Sequence, residues 1–391
     1  MMFLQYLLLA VWWVPLAAYL TNIGVEGSQK ALILSSMALG SMISPIIGML
    51  ADRYFSSEKV MTVINLVSAF LLFLAAKADS PLALFWVLLV AMLLQMPTWS
   101  LSSSIAMTHA PSDKFARIRV FGSLGWVASG FFSIIAVKFF NLEFDGTNLP
   151  FYSGFVVSIV AAIVNLTLPK TPPPAKGKKV SIKEALGLGS IGMMKDRNFS
   201  IFVVLSFLFM IPFAIYFSYC SEFLLDKGFK YITFTMNLGQ VVEMALLLTI
   251  PFLINKTGLR NVLLFGLVAL LIRYIAFYFG GTQDQSWMYF IGILLHGAIF
   301  GYFFVGGQIY INNMAPQHLR AQTQGFYFLI TMGAGMLIGN FFNGWLIKAT
   351  MDISETGSQY NWDKVWAITT LLSFIVLTAF ILFFRIKEKK N

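Results

Sequence analysis

One cysteine, three histidines and 11% charged residues are what this 391-residue chain has least of, and each shortage closes off a class of function. A lone Cys220 rules out an internal disulfide and any CxxC metal or redox pair. His109, His296 and His318 are too far apart for an HExxH-like metal motif, and no GxxxxGK[ST] run is present to cradle ATP. With no nucleophile–base or metal set in view, the chain does not read as an enzyme and implies no cofactor. Soluble domains carry about 25% charged residues, and with less than half of that this chain cannot clothe a water-facing surface. What it has instead is 58% hydrophobic residues, 16% aromatic residues and a mean hydropathy of +0.78. That is the composition of a polytopic membrane protein. The opening run MMFLQYLLLAVWWVPLAAYL has no basic residue before Lys30 and no clear small-residue cleavage site. It reads as a retained first span rather than a signal peptide.

A membrane helix needs about 20 mainly apolar residues. Runs of that kind centre near Val11, Met42, Ser68, Leu94, Ser129 and Ile159, then near Met210, Glu243, Leu270, Ala298, Thr331 and Phe374. Between the sixth and seventh lies the one long polar stretch, with TPPPAKGKK inside it. The expected organisation is a six-helix half over 1–168, a cytoplasmic linker over 169–198, and a six-helix half over 199–391 ending in a short basic tail. Charge supports it. With both termini in the cytoplasm, inner segments hold 18 Lys/Arg against 6 Asp/Glu, and outer segments hold 7 against 10. Such a bias toward the inside orients the chain in a cell (inner) membrane. The basic excess is therefore a topology signal that also attracts anionic membrane lipid. It is not a nucleic-acid footprint.

Between spans 2 and 3 the chain reads Gly48-Met49-Leu50-Ala51-Asp52-Arg53, and at the matching place in the second half Ile254-Asn255-Lys256-Thr257-Gly258-Leu259-Arg260. The first is similar to the loop signature of the major facilitator superfamily. Two six-helix repeats joined by a cytoplasmic linker are also that superfamily's layout, in which the repeats enclose a midplane solute site and rock about it. The expected fold is thus all-α, with twelve transmembrane helices. Gly48, with Asp52 and Arg53, forms a candidate cytoplasmic gate, glycine allowing close backbone approach and the charges latching the halves. The plain alternative is a charged loop that stops a helix.

Ionisable groups inside spans cost roughly 2.5–3.5 kcal/mol each on insertion scales, so they are functional candidates by default. Arg119, Glu243 and Arg273 are the three that this topology leaves within spans. Glu243 stands as the only carboxylate among them, with Gln240 and Asn237 at spacings of three, so that all three are expected on one polar face walling a cavity. A carboxyl there can take up and release a proton as its surroundings alternate; alternatively it partners a buried arginine. Arg119, Ser123 and Trp126 form a stripe offering a cation, a hydroxyl and an aromatic face, unless Arg119 snorkels to the headgroups. Arg273 reads as structural. His296 and Phe300 share a face of span 10 among Gly297, Gly301, Gly306 and Gly307, where a lone histidine is more often a core residue than a ligand. Gly325, Gly333, Gly335 and Gly339 of span 11 read as helix packing. Ser100, Ser102, Ser103 and Ser104 of span 4 either bond their own helix carbonyls or line the path. Trp12 and Trp13 either wall the cavity or pack.

More dispersed agreement points to one family. Phe3-Leu4-Gln5 with Trp12, IIGMLADR, Met96-Pro97-Thr98, the run Ile118 to Trp126, Gln240 and Glu243 before LLLTIPFLI, Leu271-Ile272-Arg273, Gly297 with Phe300, and Arg320-Ala321 with Gln324-Gly325 together resemble the nucleoside:proton symporters. The resemblance implies uptake of a nucleoside, or a similar small polar solute, together with a proton by alternating access. It implies solute-contacting positions at Arg119, Ser123 and Trp126 on span 5, Gln240 and Glu243 on span 8, and His296 and Phe300 on span 10. Glu243 is the expected proton carrier. The departures fall within the same set. Gly301 stands where the family usually has an aspartate, Ala214-Ile215-Tyr216-Phe217 where a polar residue is expected, and Ser103 near a common asparagine. Losing the aspartate removes contacts worth roughly 1–3 kcal/mol if left unmade. A proton-independent facilitator, or a carrier of another solute such as a sugar derivative, is the alternative; a non-transporting membrane sensor is a third reading.

Overall fold

The computed structural model describes residues 1–110, 115–173, 181–354 and 357–386. Among them, eleven helices are long and apolar enough to cross a membrane. Spans 1 to 7 run Met2–Asn22, Gly27–Met49, Ser57–Ala75, Pro81–His109, Ile118–Phe140, Leu149–Leu166 and Arg197–Asp226. Spans 9 to 12 run Leu259–Thr282, Trp287–Met314, Gln322–Ala349 and Trp362–Phe383. Span 8 is a bent pair, Ile232–Leu247 and Ile250–Thr257, turned by 54° at a short break where Pro251 opens the second helix. Counted as one, it gives the twelve expected, and every expected centre falls inside a span. The chain is an all-helical integral membrane protein, its only strands among the described residues being the short pair Asp352–Ser354 and Gly357–Gln359.

These helices are apolar around most of their circumference, so burial and lipid exposure share out the faces. Span 1 is buried almost throughout, from Leu7 to Trp13. Val63, Leu66 and Phe70 of span 3, and Leu371, Phe374 and Ile375 of span 12, point outward instead. Exposed apolar surface on this scale is what a hydrocarbon solvent requires. Proline lies inside spans 2, 4 and 7 at Pro45, Pro97 and Pro212. Beside Pro212, the Ile211 carbonyl accepts from Asn343 Nδ2 at 2.8 Å and the Pro212 carbonyl accepts from the Tyr274 hydroxyl. Spans 10 and 11 each widen into a π-helical segment, Ile299–Val305 and Leu329–Gly335. Such segments shift the face a helix presents and concentrate at functional positions.

The chain folds into two compact units. The first comprises Met1–Ala185 together with Phe217–Asn237, and the second Leu186–Tyr216 with Leu238–Asn391. Spans 7 and 8 therefore each begin in one unit and end in the other. In the first unit span 3 packs on spans 4 and 6, span 2 on span 4, and span 1 on span 5. In the second, span 9 packs on spans 10 and 12.

Two fastenings hold Phe217–Asn237 within the first unit. Asp145, in the segment between spans 5 and 6, caps the start of span 8. Its carboxylate accepts from the Ile232 amide at 2.9 Å, the Thr233 amide at 3.2 Å, the Ser133 hydroxyl at 2.6 Å and the Thr233 hydroxyl. Burial pushes the Asp145 carboxyl above its usual value, and those hydrogen bonds oppose the shift. Lys30 of span 2 pairs with Glu222 of span 7 at 2.5 Å and donates to Thr21 Oγ1 at 2.9 Å. Both charges are buried. This corrects the expectation that they sit in outer loops and that Glu243 is the only carboxylate inside a span. Each lies a few residues from a helix end, where a charge reads as loop, and nothing in a linear scan shows a partner 192 positions away.

Candidate functional site

Glycines set the geometry of the second unit's polar cluster. A Cβ on Gly239 of span 8 would lie 2.7 Å from the Ile293 carbonyl oxygen and 2.8 Å from His296 Cβ, and one on Gly297 of span 10 would lie 2.7 Å from Glu243 Cα. The two backbones therefore meet in near contact at Gly239 and Gly297, as small residues permit in membrane helices. That crossing sets His296 against Gln240 and Glu243. The Gln240 Nε2 is 3.1 Å from His296 Nε2, and Glu243 Oε2 is 3.9 Å from the same atom. Glu243 and His296 are both buried.

Aromatic rings surround the imidazole. Tyr216 stacks on it at 5.2 Å between centroids, with Phe213 and Phe300 each at 6.0 Å. Arg273 of span 9 is fully buried with its guanidinium 3.7 Å over the Tyr216 ring and its Nε donating to the Gly292 carbonyl at 2.9 Å. Its Nη1 and Nη2 have no hydrogen-bond partner among the described residues. Phe213, Tyr216 and Arg273 were not among the positions the sequence singled out for the site. Tyr216 falls in the stretch where the family resemblance expects a polar side chain, and that mismatch is the signal that marks it. Chemically this cluster offers a carboxyl, an amide and an imidazole that can exchange hydrogen bonds or a proton, beside ring faces on which a planar group can stack.

Asn237 departs from the expected polar face. Its amide donates to the Trp126 carbonyl at 3.0 Å and to Ser129 Oγ at 2.9 Å. It fastens span 8 to span 5 within the first unit rather than standing with Gln240 and Glu243. A spacing of three turns the helix by about 300°, so three such positions drift around the axis instead of forming a straight line.

In the first unit, the Arg119 guanidinium lies 4.4 Å over the ring of Tyr6. Tyr6 stacks on Trp99 at 5.0 Å and 6°, and Trp99 meets Trp126 edge-on at 6.5 Å. Gly122 makes room for this tier, since a Cβ there would fall 2.7 Å from Arg119 Nη1 and 3.0 Å from Tyr6. Gly125 likewise presses span 5 against the Phe3 carbonyl of span 1. Ser123 is half-buried on the same helix. Arg119 and Trp126 are thus brought into one tier by Tyr6 and Trp99, two residues the spacing argument missed because they come from spans 1 and 4.

The remaining alternatives resolve locally. Ser102 and Ser103 both donate to the Trp99 carbonyl, the bonding of a serine to its own helix. Trp12 packs against Phe151 and Gly154 of span 6, as a core residue. Gly335 and Gly339 of span 11 press against Met210 and Ala214 of span 7, in keeping with the packing role expected of them. In the second-half loop, Arg260 donates to the Phe384 and Ile381 carbonyls at 2.9 and 3.2 Å, capping span 12. Gly48 is buried, and among the described residues a Cβ there would meet nothing within 4 Å. The side chains of Asp52 and Arg53 lie outside the described residues, as does that of His318.

Comparison with known proteins agrees over the full length. The family model described as nucleoside H+ symporter matches residues 1–389. YegT of Escherichia coli K12, a protein assigned to nucleoside transport, is 34% identical, covering 98% of this chain and 92% of its own. The xanthosine permease of the same organism is 28% identical, covering 99% and 94%. Among solved structures, the crystal structure of the nucleoside transporter NupG superposes with a TM-score of 0.86 at 24% identity, covering 99% of this chain and 98% of that one. A POT family transporter bound to 5-aminolevulinic acid has a TM-score of 0.74 at 12% identity, covering 98% and 94%, and shares the fold alone. On the family match and the YegT identity, the chain belongs to the nucleoside:proton symporter family, a family of transporters of the major facilitator superfamily and not of enzymes.

Proposed function

We propose that this protein imports a nucleoside together with a proton, with Glu243 as the proton carrier. The observation that supports this most is the buried meeting of Gln240, His296 and Glu243 in the second unit. A carboxyl removed from water, within reach of an imidazole and walled by rings, suits a group that must gain and lose a proton beside a planar solute. In this reading Gln240, Glu243, His296 and Phe300 are solute-contacting residues, as are Arg119, Ser123 and Trp126, the last as part of the ring tier that Arg119 caps. The halves 1–168 and 199–391 alternate in access about that solute, and Gly48, Asp52 and Arg53 form the gate on the inner side.

The same reading places both termini and the 169–198 linker in the cytoplasm, where the 18 Lys/Arg of the inner segments meet anionic lipid. The test is uptake into proteoliposomes of a panel of nucleosides, free bases and sugars at two pH values, with and without a protonophore. Nucleosides are expected to accumulate only down an inward proton gradient, and the protonophore to abolish accumulation. Nucleoside uptake indifferent to the protonophore would instead support a facilitator, an outcome motivated by Gly301. No nucleoside response at all would overturn the reading.

A further inference from the structure

The imidazole beside Glu243 is placed to do more than touch solute. His296 is buried, its Nε2 lies 3.1 Å from the Gln240 amide and 3.9 Å from the Glu243 carboxyl, and its Nδ1 has no partner among the described residues. A core histidine with a purely structural role ordinarily has both nitrogens satisfied, because an unmade buried hydrogen bond costs about 1–3 kcal/mol. Here every polar contact falls on Nε2, the nitrogen that faces the carboxyl. A rotamer adjustment of under about 1 Å would convert 3.9 Å into an N–H···O bond.

We propose that His296 is a second proton-handling residue, so that coupling in this chain runs on a Glu243–His296 couple rather than on the carboxylate alone. This rests on the reading of the protein as proton-coupled. With the imidazole hydrogen on Nδ1, Nε2 carries the lone pair and accepts from the Gln240 amide. A protonated Glu243 then passes its proton to Nε2: the carboxyl O–H bond breaks, the N–H bond forms, and a neutral pair becomes carboxylate and imidazolium with no change in net charge. Gln240 must turn its amide so that its oxygen accepts where its nitrogen donated. The amide thus follows the proton, and a solute hydrogen-bonded to Gln240 senses which side of the couple holds it.

The groups facing the imidazole fit this use. Glu243 faces it from span 8, Tyr216 from span 7, and Arg273 of span 9 lies over the Tyr216 ring. Phe213 and Phe300 complete the wall. With the fixed charge of Arg273 so near, a second cation is tolerated only opposite an ionised Glu243, so the couple holds one proton and hands it on as a unit. Gly239 and Gly297 keep the two residues opposed by pressing their backbones together.

The experiment compares wild type, His296→Phe, His296→Gln and Glu243→Gln in proteoliposomes, measuring counterflow of labelled nucleoside at fixed pH and accumulation driven by an imposed pH gradient. His296→Phe keeps the ring stack and removes both nitrogens, and His296→Gln keeps hydrogen bonding without titration. Loss of a solute contact lowers counterflow in both, and gradient-driven accumulation is expected to fall about a hundredfold further than counterflow does; accumulation that falls only in proportion to counterflow overturns the proposal. Accumulation at the wild-type level with an unchanged pH profile in either variant overturns the proposal. Should both variants fail to fold, infrared titration of solute-free wild type decides. A protonated-carboxyl band that is absent from Glu243→Gln and titrates together with an imidazole band supports the couple, and imidazole bands unchanged across that titration overturn it. Failure of the nucleoside-symport reading shows separately, as a wild type that does not accumulate nucleoside.

Discussion

Gly297 of span 10 lies against the backbone of Glu243, close enough that a Cβ at 297 would fall 2.7 Å from Glu243 Cα and 2.7 Å from the Val242 carbonyl carbon. The proposed proton carrier is therefore held by a backbone-to-backbone contact that only glycine permits, and its position depends on span 10 as much as on its own helix. Gly297→Ala is expected to destabilise the protein by about 1–3 kcal/mol through overpacking. Gly301→Ala, four residues on, meets among the described residues only Leu247 side-chain atoms, at 3.5 and 4.0 Å, and is expected to be nearly neutral. Thermal unfolding of the two variants side by side checks this: equal Tm values would show that the close approach at Gly297 carries no weight.

The Lys30–Glu222 pair makes a second prediction. Removing one partner leaves the other charge buried and uncompensated, a loss of about 3–5 kcal/mol, whereas replacing both by apolar residues of similar volume is often neutral. Lys30→Met alone and Glu222→Leu alone are expected to unfold at clearly lower temperature than the double variant. A double variant as unstable as the sum of the singles would mean that the two residues act independently.

For Asp145 the prediction concerns pH. Burial raises this carboxyl above its ordinary value of 3.8, so the folded protein holds the proton more tightly than the unfolded chain. Its contribution to stability is therefore fully present below pH 3.8 and is lost as pH rises through the raised folded value. Asp145→Asn is expected to flatten that slope while weakening the cap on span 8 by about 1 kcal/mol, because both carboxylate oxygens accept hydrogen bonds and an amide offers only one acceptor oxygen. Melting curves from pH 4 upward test it; a variant whose Tm keeps the wild-type pH slope would place the titration elsewhere.

Arg119 offers a test of the first unit's tier. The cation over Tyr6 is worth about 0.5–2 kcal/mol. Tyr6→Leu is expected to free the guanidinium and to raise the nucleoside KM severalfold with counterflow Vmax largely kept. An unchanged KM in Tyr6→Leu, with Arg119→Ala also silent, would remove both from the solute-contacting set.

The number of spans and their centres were legible in the sequence because hydropathy is a local property: a run such as that around Leu94 or Phe374 declares itself without reference to the rest of the chain. So were Gln240, Glu243 and His296 as polar interruptions of apolar runs. What could not be read was which of them meet. Asn237 has the same spacing to Gln240 as Gln240 has to Glu243, yet it bonds span 5 while the other two face span 10. Lys30 and Glu222 read as loop charges because each is near a helix end, and only the folded chain pairs them. Tyr6, Trp99 and Tyr216 carried no polar signal strong enough to separate them from packing aromatics. Partner choice across long sequence separation is set by packing, and glycine positions such as 239 and 297 settle it through shape rather than chemistry.

Glu243→Gln, compared with wild type in proteoliposomes, tests the central claim most directly. The variant removes the titrating carboxyl and keeps a side chain of the same shape. Some counterflow of labelled nucleoside is expected to remain, while accumulation against a concentration gradient under an imposed pH gradient is expected to vanish. Accumulation by Glu243→Gln at the wild-type level would contradict the account.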